Sequence, residues 1–257
     1  NTRFNWRSNL KILITSGGTK IPLDSVRSIT NMSQGTFGAK IAKGFLNEGD
    51  HVTFLTHKSA KTPVKKQIDL RAQIDFNQLL EDYQWTQKIL PNYWEIQYDT
   101  FDQYAKELEL RSKFNAFDAI LLACAASDYG VPAPMEGKIR SSSQMNIELE
   151  PLPKLISKIR TEWDFKGVLV GFKLLVGVKK SELIDSARKS CIENGCDFVI
   201  ANDLNDIKAG NHRIIIVSKD TEYTVSKEDS INEIIKNVKT LEYKNTTNRW
   251  LQDLKSI

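Results

Sequence analysis

The 257-residue sequence predicts an α/β protein, a Rossmann-like, doubly wound and mainly parallel sheet with a C-terminal β-hairpin. Three observations lead there. Lys11 to Thr15 is an apolar run of strand length, Gly35 to Asn47 carries Phe37, Ile41, Ala42, Phe45 and Leu46 at helical spacing, and His51 to Thr56 is a second apolar run. Two parallel strands joined by a helix form a right-handed crossover, the opening unit of a doubly wound sheet. Further apolar runs at Phe117 to Ala126, Val168 to Leu175 and Asp197 to Ala201 are each flanked by an amphipathic stretch, so the alternation of strand and helix continues. Arg213 to Ser218 and Thr221 to Val225 then alternate across Lys219-Asp220 like the arms of a hairpin, and Ile231, Ile234, Ile235 and Val238 mark a helix from Lys227 onward.

The length suits a single α/β domain over 1–257 with one substantial core. Residues 58–94 fit no simple crossover: Lys58, Lys61, Lys65 and Lys66 precede Leu79, Leu80, Tyr83 and Trp85, which reads as an insertion with its own helix. A hydrophobic content of 40% and a charged content of 26% exclude a disordered chain. No stretch approaches the ~18 apolar residues of a membrane span, and the N-terminal Asn-Thr-Arg-Phe-Asn-Trp lacks the apolar block of a signal peptide. Cys124, Cys191 and Cys196 form no CxxC or Cys/His ligand spacing, which fits inert thiols and a cytoplasmic location. A net charge of +4 suits nucleic acid and anionic small molecules alike. The lysines at 58 to 66 read as a solvated loop, so no nucleic-acid partner is expected. His51, His57 and His212 have no Ser or Cys at triad spacing.

Ser16-Gly17-Gly18-Thr19 follows the first strand directly, and Arg27-x-x-x-Asn31-x-Ser33-x-Gly35-x-x-Gly38 follows within twenty residues. A plain strand-to-turn break explains the first motif equally well in isolation. Together the two describe an anion-handling surface: adjacent glycines let backbone approach a phosphate, and the glycines at the helix start leave N–H groups for negative charge. A second cluster, Ala125-Ala126-Ser127-Asp128-Tyr129, ends the strand from Phe117, and Lys138 follows in Gly137-Lys138-Ile139-Arg140. Asp128 suits a sugar hydroxyl or base amine, with a turn or helix cap as the other reading; Lys138 suits a phosphate, with a solvated loop charge as the other. Gly171-Phe172-Lys173 and Ala201-Asn202-Asp203 also sit at strand ends. Phe172 suits a base-stacking face or the core. Four such strand ends on one sheet edge define a candidate site.

These segments, with Gly137-Lys138-Ile139 and Pro153-Lys154-Leu155-Ile156, follow the order found in the phosphopantothenoylcysteine synthetase family, which the chain resembles over about residues 10 to 225. The resemblance is to the stand-alone synthetase, without the decarboxylase fused to many bacterial versions. It implies a phosphopantothenate–cysteine ligase of coenzyme A biosynthesis. In that family the carboxylate of 4'-phosphopantothenate attacks the α-phosphate of a nucleoside triphosphate, giving an acyl-nucleotide and pyrophosphate. The amine of L-cysteine then displaces the nucleoside monophosphate. By the same resemblance Asn31, Arg27 and Lys138 are the catalytic candidates, Asn31 at the acyl-nucleotide and Lys138 on the triphosphate. Gly17, Gly18, Thr19, Ser33, Gly35, Asp128, Lys138, Pro153, Lys154, Leu155, Ile156, Phe172, Asn202 and Asp203 are the nucleotide-binding candidates. The family also implies Mg2+ and a homodimer, for which the hairpin at 213–225 is the candidate contact because an exposed edge invites pairing.

The chain departs from many fused bacterial enzymes after Lys138, where it reads Ile-Arg-Ser-Ser instead of further lysines, and at Ser190 and Asn194, where they place lysines. Gly171-Phe172-Lys173-Leu174 and Leu152-Pro153-Lys154-Leu155 resemble the eukaryotic, ATP-using branch, whereas Ala201-Asn202-Asp203 resembles the bacterial, CTP-using one. CTP is favoured, with ATP the other candidate. The 58–94 stretch exceeds the usual length for the family. Two other functions stay open: a dinucleotide-dependent oxidoreductase, against which stand the missing G-x-G-x-x-G after the first strand and the missing acid after the second, and a non-catalytic nucleotide-sensing module.

Overall fold

In the computed structural model the chain begins with β1 (Lys11–Ser16), a short hairpin of β2 (Lys20–Pro22) and β3 (Ser28–Thr30), α1 (Thr36–Asn47) and β4 (His51–His57). α2 (Phe76–Ile89) leads through a 3-10 turn at Leu90–Asn92 to β5 (Tyr93–Tyr98), and α3 (Phe101–Phe114) leads to β6 (Ala119–Leu122). The two-residue strands β7 (Tyr129–Gly130) and β8 (Glu150–Pro151) precede α4 (Leu155–Thr161), β9 (Val168–Leu175), α5 (Lys180–Glu193) and β10 (Phe198–Asp203). α6 (Leu204–Lys208), the strands β11 (Ile214–Val217) and β12 (Glu222–Val225), and the long α7 (Ser230–Lys255) follow. The structure describes residues 9–64, 75–114, 116–140, 144–211 and 213–255; Lys65, Lys66, His212 and the first six residues, discussed above, lie outside these.

The main sheet has the order β12-β11-β10-β9-β6-β1-β4-β5. Every neighbouring pair from β10 to β5 is parallel, and β11 and β12 add an antiparallel end. From β1 the chain winds outward through β4 and β5, then returns to the other side of β1 with β6, β9 and β10. The winding direction reverses between β1 and β6, which is where open α/β sheets bind ligands. β1 buries all but Lys11, as expected of a strand covered on both faces. On one face Ile12, Ile14, Phe54, Leu121, Val170 and Ile200 form a core with Ile41 and Phe45 of α1 and Ile234 and Val238 of α7. On the other face Leu13, Leu55 and Ile120 meet Tyr104 and Leu108 of α3 and Ile159 of α4. Leu183, Ala187 and Cys191 of α5 cover Val199 of β10 and Val217 of β11 on that second side.

A charge pair is built into this core. Lys239 of α7 is 7% exposed and pairs at 3.0 Å with Asp50, which is wholly buried and also accepts the Leu10 backbone N–H at 3.0 Å. Burial pushes the Asp50 carboxyl above its ordinary value, and Lys239 opposes that shift. The pair therefore ties α7 to the turn between α1 and β4.

The structure corrects several expectations. The strand expected from Phe117 to Ala126 is only β6, Ala119–Leu122, because Ala123 to Asp128 leave the sheet to shape the crevice. The expected alternation of the C-terminal hairpin fails in β11, where all four residues are buried because helices cover both faces. The described part of 58–94 carries α2 and ends in β5, which pairs in parallel with β4, so the stretch links two neighbouring strands. β5, α3 and the β2–β3 hairpin are elements that the sequence analysis does not identify.

Candidate active site at the switch point

Beyond β1 the backbone turns through Gly17, whose φ of +89° suits glycine, and an added Cβ there would lie 2.8 Å from the His57 Cβ. Gly18 forms a parallel bridge with Ala125, and the Ala125 N–H donates to the Gly17 carbonyl at 2.8 Å. The segments after β1 and β6 are thereby stitched side by side. α1 starts against the same turn: the Ser16 hydroxyl donates to the Gly35 carbonyl at 3.1 Å. Gly35 caps α1 without any side-chain bond, and no acidic residue occupies the first turn, so this helix start is open to an anion. Gly38 lies so close that a Cβ would sit 2.8 Å from the Ser16 Cβ. Gly38→Ala is therefore expected to destabilise the fold by about 1–3 kcal/mol, the usual overpacking range; an unchanged denaturation midpoint would show that the contact relaxes freely.

Asn31 reaches across this stitch. Its Nδ2 donates to the carbonyls of Ala125 (2.9 Å) and Ala126 (3.2 Å). Both partners are acceptors, so the nitrogen must face them, and the Oδ1 is left to accept from the crevice. Thr19 is fully buried, its hydroxyl accepts the Ser127 N–H at 2.9 Å, and its carbonyl accepts the Thr30 hydroxyl at 3.2 Å. The Ser33 N–H donates to the Asn31 carbonyl at 2.8 Å, which sets the bend into α1. Gly17, Gly18, Thr19, Asn31, Ser33 and Gly35 thus form one constellation with Ala125 to Ser127.

The other predicted residues surround this centre at varying removes. Arg27 stands at the tip of the β2–β3 hairpin, 3.6 Å from Asp24, and the backbone on either side of Lys138 is bonded to that tip. The Asp128 side chain is exposed, and its carbonyl accepts the Leu152 N–H at 2.9 Å next to the β7–β8 pair. Pro153 and Lys154 are exposed, Leu155 enters the core, and Ile156 packs beside Gly171. Phe172 packs edge-on against Phe37 with centroids 6.1 Å apart, so much of its ring belongs to the core. Asn202 and Asp203 lie three strands from β1, about 14 Å at ordinary strand spacing. Asn202 is buried and donates to the Arg213 carbonyl at 3.4 Å. Asp203 caps α6 by accepting from Asn205 at 2.7 Å and also accepts from Val178 at 3.2 Å. Burial raises its pKa, but these backbone donors prevail and hold the carboxyl below its ordinary value.

Two features escape the sequence analysis. Asp99, at the end of β5, gathers Lys20 (2.8 Å), His57 (3.0 Å) and Lys58 (2.6 Å) beside Gly17. Burial works to raise its pKa, but the two lysines and His57 bring it down to about 2. The cluster keeps surplus positive charge next to the glycine turn. Beneath it Tyr98 donates to the Ser16 carbonyl at 2.7 Å and lies 2.9 Å from the Cys124 thiol. Cys124 keeps some exposed surface as a residue, yet burial of its thiol pushes the pKa up to about 12; burial does the same to Cys196 and raises Cys191. Burial thus disfavours the thiolate form at each of the three cysteines. Among the described residues no group of three His, Cys, Asp or Glu side chains could hold a metal ion, and no helix is long and apolar enough to cross a membrane.

Known proteins resemble this chain in sequence and in fold. The bifunctional coenzyme A biosynthesis protein CoaBC of Thermococcus kodakarensis is 30% identical over 211 residues, 82% of this chain and 45% of its own length. The chain spans about half the length of such bifunctional relatives. The phosphopantothenate–cysteine ligase of Mus musculus is 29% identical, with 85% of this chain and 79% of that protein aligned. A solved structure of a Cab2 mutant in complex with phosphopantothenate-cysteine superimposes with a TM-score of 0.82 at 25% identity, covering 94% of this chain and 89% of that one. A family profile matches residues 7–85 and 101–241, most of the chain, including the β1 turn, the Asn31 segment and the strand ends of β6, β9 and β10. On that match the chain belongs to the DNA/pantothenate metabolism flavoprotein C-terminal domain family.

Proposed function

We propose that this chain is a phosphopantothenate–cysteine ligase, forming 4'-phosphopantothenoyl-L-cysteine in the cytoplasm through an acyl-nucleotide, with CTP favoured over ATP. One observation carries most weight: the Gly17-Gly18 turn, the open start of α1 and the Asn31 amide meet at the switch point of the sheet. The chemistry brings a carboxylate up to a polyphosphate, so it requires oriented N–H donors and positive charge. Backbone N–H groups at the glycine turn and α1 meet the first need, and Arg27, Lys138 and the cluster around Asp99 meet the second. With its N–H groups held by Ala125 and Ala126, Asn31 presents Oδ1 to accept a hydrogen bond from the cysteine amine as it approaches the acyl carbon. Asp128 and Phe172 are assigned to the sugar and base, Pro153 to Ile156 to the pocket wall, and Asn202 and Asp203 to its far end through backbone and local structure. Mg2+ would arrive with the triphosphate, which with water would supply most of its ligands, and it would offset phosphate charge as the carboxylate approaches.

Lys138→Ala is expected to raise KM for the triphosphate about tenfold with a smaller change in kcat, the size of one charge-assisted hydrogen bond. An unchanged KM would remove Lys138 from the triphosphate. The single-domain ligase is further proposed to act as a homodimer through β11 and β12. β12 is the outermost strand and exposes Glu222, Tyr223 and Thr224, while Arg188 of α5 holds the hairpin turn through the carbonyls of Ser218 and Lys219. Light scattering should report a dimer; a monomer at working concentration would contradict this.

A further inference from the structure

A buried carboxylate clasps the loop that carries Lys138. Asp24 opens the turn between β2 and β3, where its Oδ1 accepts the backbone N–H groups of Val26 (2.7 Å) and Arg27 (2.6 Å). Its Oδ2 accepts the N–H of Ile139 at 3.1 Å, across 115 residues of sequence, and lies 3.6 Å from the Arg27 guanidinium. The side chain has no exposed surface. Three more bonds join the same two segments: Gly137 N–H to the Ser25 hydroxyl (3.1 Å), Ser25 N–H to the Gly137 carbonyl (3.0 Å), and Met135 N–H to the Leu23 carbonyl (2.9 Å). The Ile139 N–H, followed by that of Val26, holds the Asp24 carboxyl below its ordinary value, so it remains an acceptor at neutral pH. Lys138 is exposed, yet both of its chain neighbours are fixed by this clasp.

We propose that Asp24 is a positioning residue for the nucleotide: it fixes the Lys138 backbone on the same turn as Arg27, so that the two cations meet the triphosphate as a pair. This rests on the ligase reading above. A lysine on an untethered loop loses conformational freedom when it binds, whereas a clasped one has lost it on folding. With no exposed side-chain surface, Asp24 acts through Lys138 and Arg27.

Asp24→Asn keeps the side-chain volume but places an NH2 group where the Ile139 N–H needs an acceptor. Limited trypsin cleavage after Lys138 should accelerate about tenfold, because cleavage follows the population of the released loop. KM for CTP and for ATP with Mg2+ should rise about tenfold, while kcat changes less than about twofold. Ser25→Ala removes one side-chain bond from the clasp and leaves Asp24 in place; it should shift both readouts in the same direction by less, and it decides the matter if Asp24→Asn does not fold. Unchanged cleavage would refute the clasp, and faster cleavage with unchanged KM would reduce Asp24 to a structural residue. A wild-type protein without turnover counts against the ligase reading instead; nucleotide affinity by calorimetry then replaces KM in the same comparison.

Discussion

Asn31→Ala is expected to lower product formation about a hundredfold to a thousandfold, the effect of removing one oriented polar group from a site of developing charge. Pyrophosphate release should persist for about one turnover, because the lesion falls on the attack of the amine and leaves the activation step. The side chain is exposed and its two hydrogen bonds run to loop carbonyls, so its removal opens no core cavity and the denaturation midpoint should move little. Asn31→Asp sharpens the test: it keeps an oxygen towards the crevice but sets the other against the Ala125 and Ala126 carbonyls, so it should fail as well. Product formation at the wild-type rate in either variant would remove Asn31 from the mechanism.

Lys239→Met should have the largest effect on stability, about 3–5 kcal/mol, the range for breaking a buried pair by removing one partner. Methionine fills the space, but Asp50 is left without its cation inside the protein. The pH dependence has a definite sign. Burial already raises the Asp50 carboxyl above its ordinary value, and loss of Lys239 raises it further. Above the folded-state pKa the variant carries the full penalty; as pH falls through that pKa the carboxyl takes up a proton and the penalty shrinks. Denaturant titrations of both proteins should therefore converge towards acid pH. A constant difference across pH would assign the loss to packing, and no difference would mean that the pair does not anchor α7.

Much of the fold is legible locally. The β1–α1–β4 unit, β9 and the C-terminal hairpin announce themselves because uninterrupted apolar runs and a helical stripe need only a few neighbouring residues to be read. β5 escapes because Tyr-Trp-Glu-Ile-Gln-Tyr at a sheet edge mixes aromatic and polar residues. The β2–β3 hairpin escapes because its strands are three residues long and β3 is exposed. At the site, glycine turns and polar strand ends mark the switch point, since strand ends of parallel neighbours must share one edge. The partners of those residues are long-range and invisible to spacing: Asp24 gains its meaning from Ile139, Asp99 from Lys20 and His57, and Asn31 from Ala125. Conversely, Asp203 looks in sequence like a free strand-end acid, yet the start of α6 engages it as a cap.

The most direct test is pyrophosphate release by the purified protein with 4'-phosphopantothenate, Mg2+ and L-cysteine, with CTP and ATP run in parallel. The ligase assignment predicts release with CTP that requires phosphopantothenate and is matched by equal amounts of CMP and 4'-phosphopantothenoyl-L-cysteine. Release with ATP alone would keep the ligase and reverse the nucleotide. No release with either nucleotide would contradict the assignment.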